Sequence, residues 1–545
     1  MQKAIFSEFL QAKRPFSSLL FRPVPAAPLA VFRMLFGGVM LVSLLRFWSN
    51  GWIGVQYLAS QVQFKYFGFE WVQMPAGEGI YLLFGLAALG AFGVMLGLLY
   101  RFSAAVFFLS FTYIELIDKT WYLNHYYFVS LVALLLVFLP AGRYWSVDTL
   151  LWPGLKRQTV PAWARGILLF QIALVYVFAG LAKINSDWLL AAQPMHIWLP
   201  ANSYLPLIGP LLAYKTTAYV FSWAGMLYDI SVVFFLLWRP TRWVAYAAVI
   251  VFHLLTGLLF QIGVFPVVMI LATLLFFSPA FHQNLLEHLA LLRRSNLSFL
   301  LVTAFLVGIY FWIGGATWPF LLLSTGLLSG VTPIYSLLQR AIRQGFRTPR
   351  FSKPFPVVAR PVTVGLLSLF VAWQVLWPLR SAFYPGELFW HEQGYRFSWR
   401  VMLMEKAGYA TFYVRDPATG RSAVADYTGL LLPHQEKQMA FQPDMLLQMA
   451  HFLEERYRRR GIADPEIRAE VYVRLQDQPS RLFIDPSVDL TRHTDGFHPK
   501  TWVLRRNDPR ALAKAKTALR WVARPNGRPP EDSELANHSV NALPK

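Results

Sequence analysis

The sequence predicts an all-α polytopic membrane helix bundle of about nine to eleven spans, followed by a mixed, β-rich α/β soluble domain. Three observations predict it. The chain of 545 residues is 56% hydrophobic and 14% charged, with a mean hydropathy of +0.41, too apolar for a soluble domain of average composition. Apolar stretches of roughly 16 to 22 residues recur from Leu29 to Leu379, the length a helix needs to cross a bilayer. At about Ser381 the pattern changes to short alternating segments with turn residues between them.

The predicted spans, in order, are Leu29–Leu45, Gly79–Leu99, Phe102–Ile117, Tyr126–Leu139, Gly166–Ala182, Tyr219–Leu237, Trp243–Leu259, Ile262–Phe277, Leu297–Ile313, Trp318–Leu338 and Val362–Leu379. The two between Leu297 and Leu338 are interrupted by Gly and Pro. The formal charge of +21 is carried by short loops and the last third of the chain. Alternate loops hold Arg22, Arg101, Arg143 with Lys156, Arg239 with Arg242, Arg293, and a run from Arg340 to Arg360. By the positive-inside rule these loops and the N-terminus are cytoplasmic, and everything after Arg380 is extracytoplasmic. The expected domains are a cytoplasmic segment 1–28, a membrane domain 29–380, a soluble domain 381–505 and a basic tail 506–545. Its end, Arg524–Lys545, reads as disordered. Within the soluble domain, Ala410–Val414 and Ser422–Asp426 around Asp416–Gly420 read as a hairpin, Asp444–Tyr457 as a helix, and Glu470–Leu475 and Arg481–Ile484 as strands.

The composition also excludes function classes. No basic, aromatic-interleaved module stands apart from the apolar runs, so nucleic acid is not an expected partner. The chain has no cysteine, which removes disulfides and thiolate chemistry. Lys3, Lys13 and Arg14 precede a Pro-rich stretch, which does not read as a cleavable signal peptide. His125, His196 and His253 are dispersed, without ligand spacing, so no metal is expected.

Ionisable residues in or beside spans are costly and call for a functional hypothesis. Four segments qualify. In Asp118-Lys119-Thr120-Trp121-Tyr122-Leu123-Asn124-His125, the plain reading is an interfacial turn, with Asp118 as a cap and Lys119 snorkelling. The sharper one puts Asn124 and His125 at the mouth of a cavity. Lys183 follows an apolar helix with small residues at Ala179, Gly180 and Ala182, which permit close approach by another helix or a ligand. It reads either as a snorkelling helix end or as a desolvated lysine kept neutral as a base, a shift costing on the order of 4 to 5 kcal/mol. His253, before Phe260-Gln261-Ile262-Gly263-Val264-Phe265-Pro266, reads on its own as a packing residue. Arg33 and Asp229, inside two spans, are expected to form a buried structural ion pair. By the charge rule the Asp118–His125 turn, Lys183 and the Phe260–Phe265 turn share the outer face, which is also the face of the soluble domain.

Four ordered pieces carry a family resemblance: Asp118-Lys119-Thr120 with Asn124-His125, Arg143-Tyr144-Trp145-Ser146-Val147-Asp148, Ala179-Gly180 with Lys183 and Asp187-Trp188, and Phe252-His253 with Phe260, Ile262-Gly263 and Phe265-Pro266. In this order they resemble the vitamin K-dependent γ-glutamyl carboxylase family and its bacterial relatives with the HTTM domain. Gly394-Tyr395, Phe397-Ser398-Trp399 and Phe483-Ile484-Asp485-Pro486 extend the likeness to the family's soluble domain.

The resemblance implies a multi-pass enzyme of a prokaryotic inner or plasma membrane. It would use vitamin K hydroquinone or a menaquinol-like naphthoquinol, O2 and CO2, and no metal, to carboxylate glutamate in a protein or peptide. A glutamyl γ-proton is too weakly acidic for a side-chain base, and oxygenation of the reduced quinone generates a stronger one. Lys183 aligns with the family's catalytic lysine and His125 with the assisting histidine, with Asn124 orienting them. Trp121, Gly180, His253 and Phe265 would hold the cofactor, and Tyr395 and Trp399 the glutamyl peptide. Two departures stand out: Ala182 precedes Lys183 where animal enzymes carry a second lysine, and their inter-domain disulfide cannot form. The alternatives are a quinol-dependent epoxidase acting on another substrate, and a non-catalytic quinone- or lipid-binding membrane protein.

Overall fold

The computed structural model describes residues 16–260, 262–292 and 360–509. In hydrocarbon a backbone satisfies its own N–H and C=O groups locally only as a helix, and the apolar stretches fold accordingly. The helices are α1 (Ala27–Ser49), α2 (Gly79–Leu96), α3 (Tyr100–Ile117), α4 (Asn124–Phe138), α5 (Ala162–Ala182), α6 (Lys215–Leu237), α7 (Arg242–Phe260), α8 (Phe265–Ala272), α9 (Pro279–Leu292) and α10 (Arg360–Leu376). Among the described residues seven are long and apolar enough to cross a membrane: α1, α2, α3, α5, α6, α7, and α10 with its 3-10 extension to Phe383. The chain is thus a multi-pass membrane protein. α4, with 15 residues, is shorter.

The expected span Ile262–Phe277 is shorter than predicted and turns sharply at its end. Its helical part, Phe265–Phe276, meets the next helix at 117°. The break falls at Ser278-Pro279, where the proline ring disfavours a helical conformation for the residue before it. The expected spans Leu297–Ile313 and Trp318–Leu338, the N-terminal 15 residues and the tail beyond 509 lie outside the described residues.

Small residues set the spacing of the bundle. A Cβ on Gly37 would lie 2.5 Å from the Met95 backbone, and one on Gly90 would lie 2.6 Å from that of Phe107, so α1, α2 and α3 touch backbone to backbone. The expected Arg33–Asp229 pair does not form. Arg33 donates to the carbonyls of Val94 (2.7 Å), Met95 (2.8 Å) and Trp145 (2.5 Å), closing the C-terminal end of α2. Helix-end carbonyls satisfy a guanidinium as a carboxylate would, and they were closer. At the same end of the bundle, β1 (Pro23–Pro25) pairs antiparallel with β2 (Thr159–Pro161), Val24 opposite Val160, tying the entry of α1 to that of α5.

The C-terminal domain is a four-stranded antiparallel sheet in the order β4-β3-β5-β6, from β3 (Lys406–Arg415), β4 (Ser422–Val424), β5 (Glu466–Leu475) and β6 (Arg481–Leu482). The hairpin forms where the Asp416–Gly420 turn predicts it, with Arg415 opposite Ser422. Two helices complete the domain, α11 (Pro433–Met439) and α12 (Pro443–Arg459). Met445, Met449 and Leu453 of α12 join Phe412, Ile467, Val471 and Val473 of the sheet in one core.

This domain rests on one face of the bundle. Ser60 bonds Gln435 (2.7 Å), the Lys65 amide bonds Gln448 (2.8 Å), and Trp198 bonds Glu405 (2.7 Å). The loops after α1, α3 and α5 therefore share that face, as the charge alternation predicts.

Candidate active site

Lys183 is the C-cap of α5, and its side chain turns inward instead of snorkelling. Nζ donates to Asp229 Oδ2 of α6 at 2.7 Å and to the Ala179 carbonyl at 3.3 Å, with the two charged side chains only 8% and 6% exposed. The Trp188 ring lies 5.3 Å away. Asp229 is fourteen residues into α6, about 21 Å along the helix from its start, so the Lys183 side chain at the end of α5 meets α6 well inside that helix. Gly180 brings the helices this close: a Cβ there would meet Ile230 at 2.5 Å. The close approach it permits is to α6. Asn185 caps the short helix Ser186–Leu189, and this places Trp188, whose indole N–H donates to the Ser222 carbonyl at 2.7 Å. The indole thereby roofs Lys183 and keeps water from it.

A line of rings leads away from the pair. Tyr228, beside Asp229, stacks on Phe252 of α7 (4.0 Å) and meets Tyr176 of α5 edge-on (5.9 Å). Tyr176 and His253 share a hydrogen bond of 2.8 Å between the hydroxyl and Nε2. His253 meets Phe265 of α8 edge-on at 5.9 Å, and Phe265 stacks on His125 of α4 at 5.4 Å. Helices α4 to α8 thus each give at least one of these side chains. From His125 the line runs through Phe265, His253 and Tyr176 to Tyr228, the residue before Asp229.

The loop 394–400 closes the domain face of this site. Asn124 accepts from the Tyr122 hydroxyl (2.9 Å) and donates to the Arg400 carbonyl (2.9 Å), so its amide fixes this loop. Tyr122 accepts from the Phe397 amide at 2.7 Å. Trp399, 1% exposed, stacks on Tyr127 of α4 at 5.0 Å, inside the membrane core cluster. Phe397, Trp399 and Met402 all have positive φ (58°, 58° and 54°), a conformation costing about 1 to 3 kcal/mol for each such residue. Tyr395 packs near Phe389 (6.3 Å) on the same loop.

Residues 21–281 match the family model of the HTTM domain, and residues 359–509 match that of the vitamin K-dependent gamma-carboxylase lumenal domain. The chain belongs to the vitamin K-dependent γ-glutamyl carboxylase family. The two matches together cover about three quarters of it, and no solved structure matches. The carboxylase-family domains support a carboxylase enzyme. The second match begins at the start of α10, so this span travels with the soluble domain.

In this member of the family the domains are joined by charge as well as by the loop. Lys119, its side chain 1% exposed, does not snorkel: Nζ lies 2.6 Å from Asp444 of α12. Arg396 of the loop holds the same carboxylate at 2.7 Å and also donates to Gln442. Burial works against an ionised Asp444, but Arg396 and Lys119 outweigh it and hold the carboxyl well below the usual range. Trp121 stacks on His434 of α11 at 4.3 Å, and His434 bonds the Thr120 carbonyl at 3.0 Å. Trp121 therefore contributes to the domain junction. Asp118 caps the turn as expected, accepting from the Thr120 amide (2.9 Å), and is gripped by Gln435 (2.6 Å).

Sequence reasoning missed four of these groups. Asp229 stands out as an intramembrane acid but is paired with the wrong cation, Tyr176 opens the segment around Lys183 without a role, and Asp444 and Arg396 give no signal. A charge at the level of a glycine contact, where two helices meet, is the clue that could have found Asp229. Among the described residues no cluster of three or more His, Asp or Glu side chains could hold a metal ion.

Proposed function

We propose that the protein is a naphthoquinol-dependent γ-glutamyl carboxylase that couples quinol epoxidation by O2 to addition of CO2 on protein glutamate, with its soluble domain extracytoplasmic. One observation supports this most: a buried Lys183–Asp229 pair between α5 and α6, beside a line of rings that runs from Tyr228 to His125, under the domain that matches the family's lumenal part.

The residues present suit a lipid-soluble quinone. His253 Nδ1 and Trp399 Nε1 are buried polar atoms without a protein partner, as a hydrogen-bonding ligand would require. One turn beyond His125 and Phe265, Phe128 and Val268 line an apolar crevice with Phe36 and Val39 of α1. Its void of about 10 Å³ holds no ring, so a headgroup enters only as α1 and α8 part.

A reduced naphthoquinone, oxygenated by O2, supplies a base strong enough to remove a glutamyl γ-proton. The chain's own groups do the rest. In its neutral form Lys183 would take a quinol hydroxyl proton at Nζ, and Asp229, one hydrogen bond away, would stabilise the ammonium so formed. Trp188 and the rings around His253 exclude water, which would otherwise quench the base. His125 would polarise an oxygen of the bound group from α4, and Tyr395 of loop 394–400 would meet the glutamyl peptide from the domain side, with Trp399 buried beneath it.

The deciding experiment supplies membranes containing the protein with reduced vitamin K, O2, labelled bicarbonate and a glutamyl peptide. Epoxide together with label in the peptide is expected. Absence of both overturns the enzyme reading, and epoxide without fixed label reassigns the carbanion step to another substrate.

A further inference from the structure

The connection between α5 and α6, residues 184–214, is apolar on both of its sides. Its inner side packs Trp188, Ala192, Met195, Leu199 and Leu212 with Leu259 of α7 and Leu403 of the C-terminal domain. A loop lying over water would present polar groups outward. This one presents Ile184 (54% exposed), Leu190 (72%), Tyr204 (74%), Leu207 (96%), Leu211 (58%) and Tyr214 (61%). Between Lys183 and Lys215 its sequence holds a single charged residue, Asp187. An apolar element that is not enclosed by protein needs a third environment.

The depth of the segment identifies that environment. From Lys183, level with Asp229, the chain climbs back along α6. Trp188 bonds the Ser222 carbonyl, the Trp223 indole donates to the Leu189 carbonyl (3.1 Å), and the Tyr219 hydroxyl donates to the Leu190 carbonyl (3.0 Å). Those anchors lie about 6 to 12 Å along α6 from its first residue, where Tyr and Trp side chains mark a membrane interface. The last two also satisfy the Leu189 and Leu190 carbonyls at the end of the short helix, as irregular backbone at this depth requires.

We infer that residues 184–214 form a lipid-facing shelf that rises from Ile184 to the interfacial layer of the bilayer at Leu190, with Ile184, Leu190, Tyr204, Leu207, Leu211 and Tyr214 covered by lipid. The shelf is continuous with the lipid-facing belt of the spanning helices, and its near-absence of charge suits acyl chains and excludes a headgroup-only contact. Trp188, which roofs Lys183, hangs from its first turn, so lipid comes within one side chain of the candidate base.

The absence of cysteine makes the test direct. Single variants Leu207→Cys and Leu190→Cys in the full chain, spin-labelled in nanodiscs of zwitterionic lipid, are compared with Ala418→Cys in the exposed hairpin turn and Leu89→Cys on the lipid face of α2. Collision with O2 relative to a water-soluble nickel chelate is expected to be about fivefold or more higher at 207 and 190 than at 418, approaching the value at 89. A ratio at 207 and 190 equal to that at 418 overturns the inference. Dipolar broadening between labels of two copies overturns it as well, because a second chain would then cover this face. The readout needs no enzymatic turnover and stands whether or not the carboxylase reading does.

Discussion

Two lysines that the sequence places alike, each just past the end of an apolar helix, meet opposite fates. Lys183 finds one carboxylate, Asp229, inside the bundle, with a tryptophan above it. Lys119 finds Asp444 in another domain, and shares it with Arg396. The first pair is isolated in hydrocarbon and its partners lie 46 residues apart. The second is a shared anchor across 325 residues that fixes a strained loop to the N-terminal turn of α4. An isolated buried pair contributes little net stability, since desolvation offsets attraction. The chemical role proposed for the first pair therefore does not rest on stability, whereas the shared carboxylate at the junction aligns two domains.

The sharpest way to break this contrast is at Lys183. Lys183→Ala is expected to lower epoxide formation by about 10²- to 10⁴-fold while insertion is unchanged, measured by product assay on membranes normalised to protein. Retained turnover would remove Lys183 from the base role. Next, Asp229→Asn leaves Lys183 buried without its carboxylate and is expected to cost about 3 to 5 kcal/mol in thermal unfolding in nanodiscs. The double variant Lys183→Met with Asp229→Leu should recover most of that stability and none of the activity. If activity and stability returned together, the pair would be structural.

At the junction the expected effects are smaller. Asp444→Asn removes the shared acceptor from Lys119 and Arg396 and should cost about 2 to 3 kcal/mol, read as faster amide exchange at residues 394–402 with α5 and α6 unchanged. Because the Asp444 carboxyl is held below the usual value near 3.9, its contribution is present above that pH and is lost only as the pH falls through its folded value. Exchange at 394–402 should therefore not respond to pH between 8 and 5 through this group. Smallest of all, Trp121→Ala should cost about 0.5 to 1.5 kcal/mol for the lost stack on His434, with the quinol KM unchanged. A large rise in that KM would return Trp121 to the cofactor.

The contrast also shows what was legible. Hydropathy located α1 to α7 and α10 because a span must be apolar along its whole length, and Asp416–Gly420 announced its hairpin because that turn is local. Partners were not legible. Nothing near Lys119 in the chain names Asp444, and Arg33 and Asp229 looked like a pair only because both are charged within spans. Packing decided otherwise: Gly180 lets α6 reach α5, delivering Asp229 to Lys183, while Arg33 lies within reach of three carbonyls near the end of α2. Break points were half-legible, since Pro279 was visible but the 117° bend it permits was not.

Arg33 has a consequence for how the protein is made. The guanidinium enters the membrane with α1, yet its last acceptor, the Trp145 carbonyl, is 112 residues further along, and Val24 waits longer still for Val160. At a synthesis rate of about 5 to 20 residues per second, the first span spends roughly 6 to 22 seconds with a charge its own helix cannot satisfy. Insertion and assembly of this bundle are therefore separate events. Until Val94 and Met95 of α2 are made, 61 and 62 residues further on, Arg33 has none of these carbonyl partners, and the third comes only with the turn at Trp145.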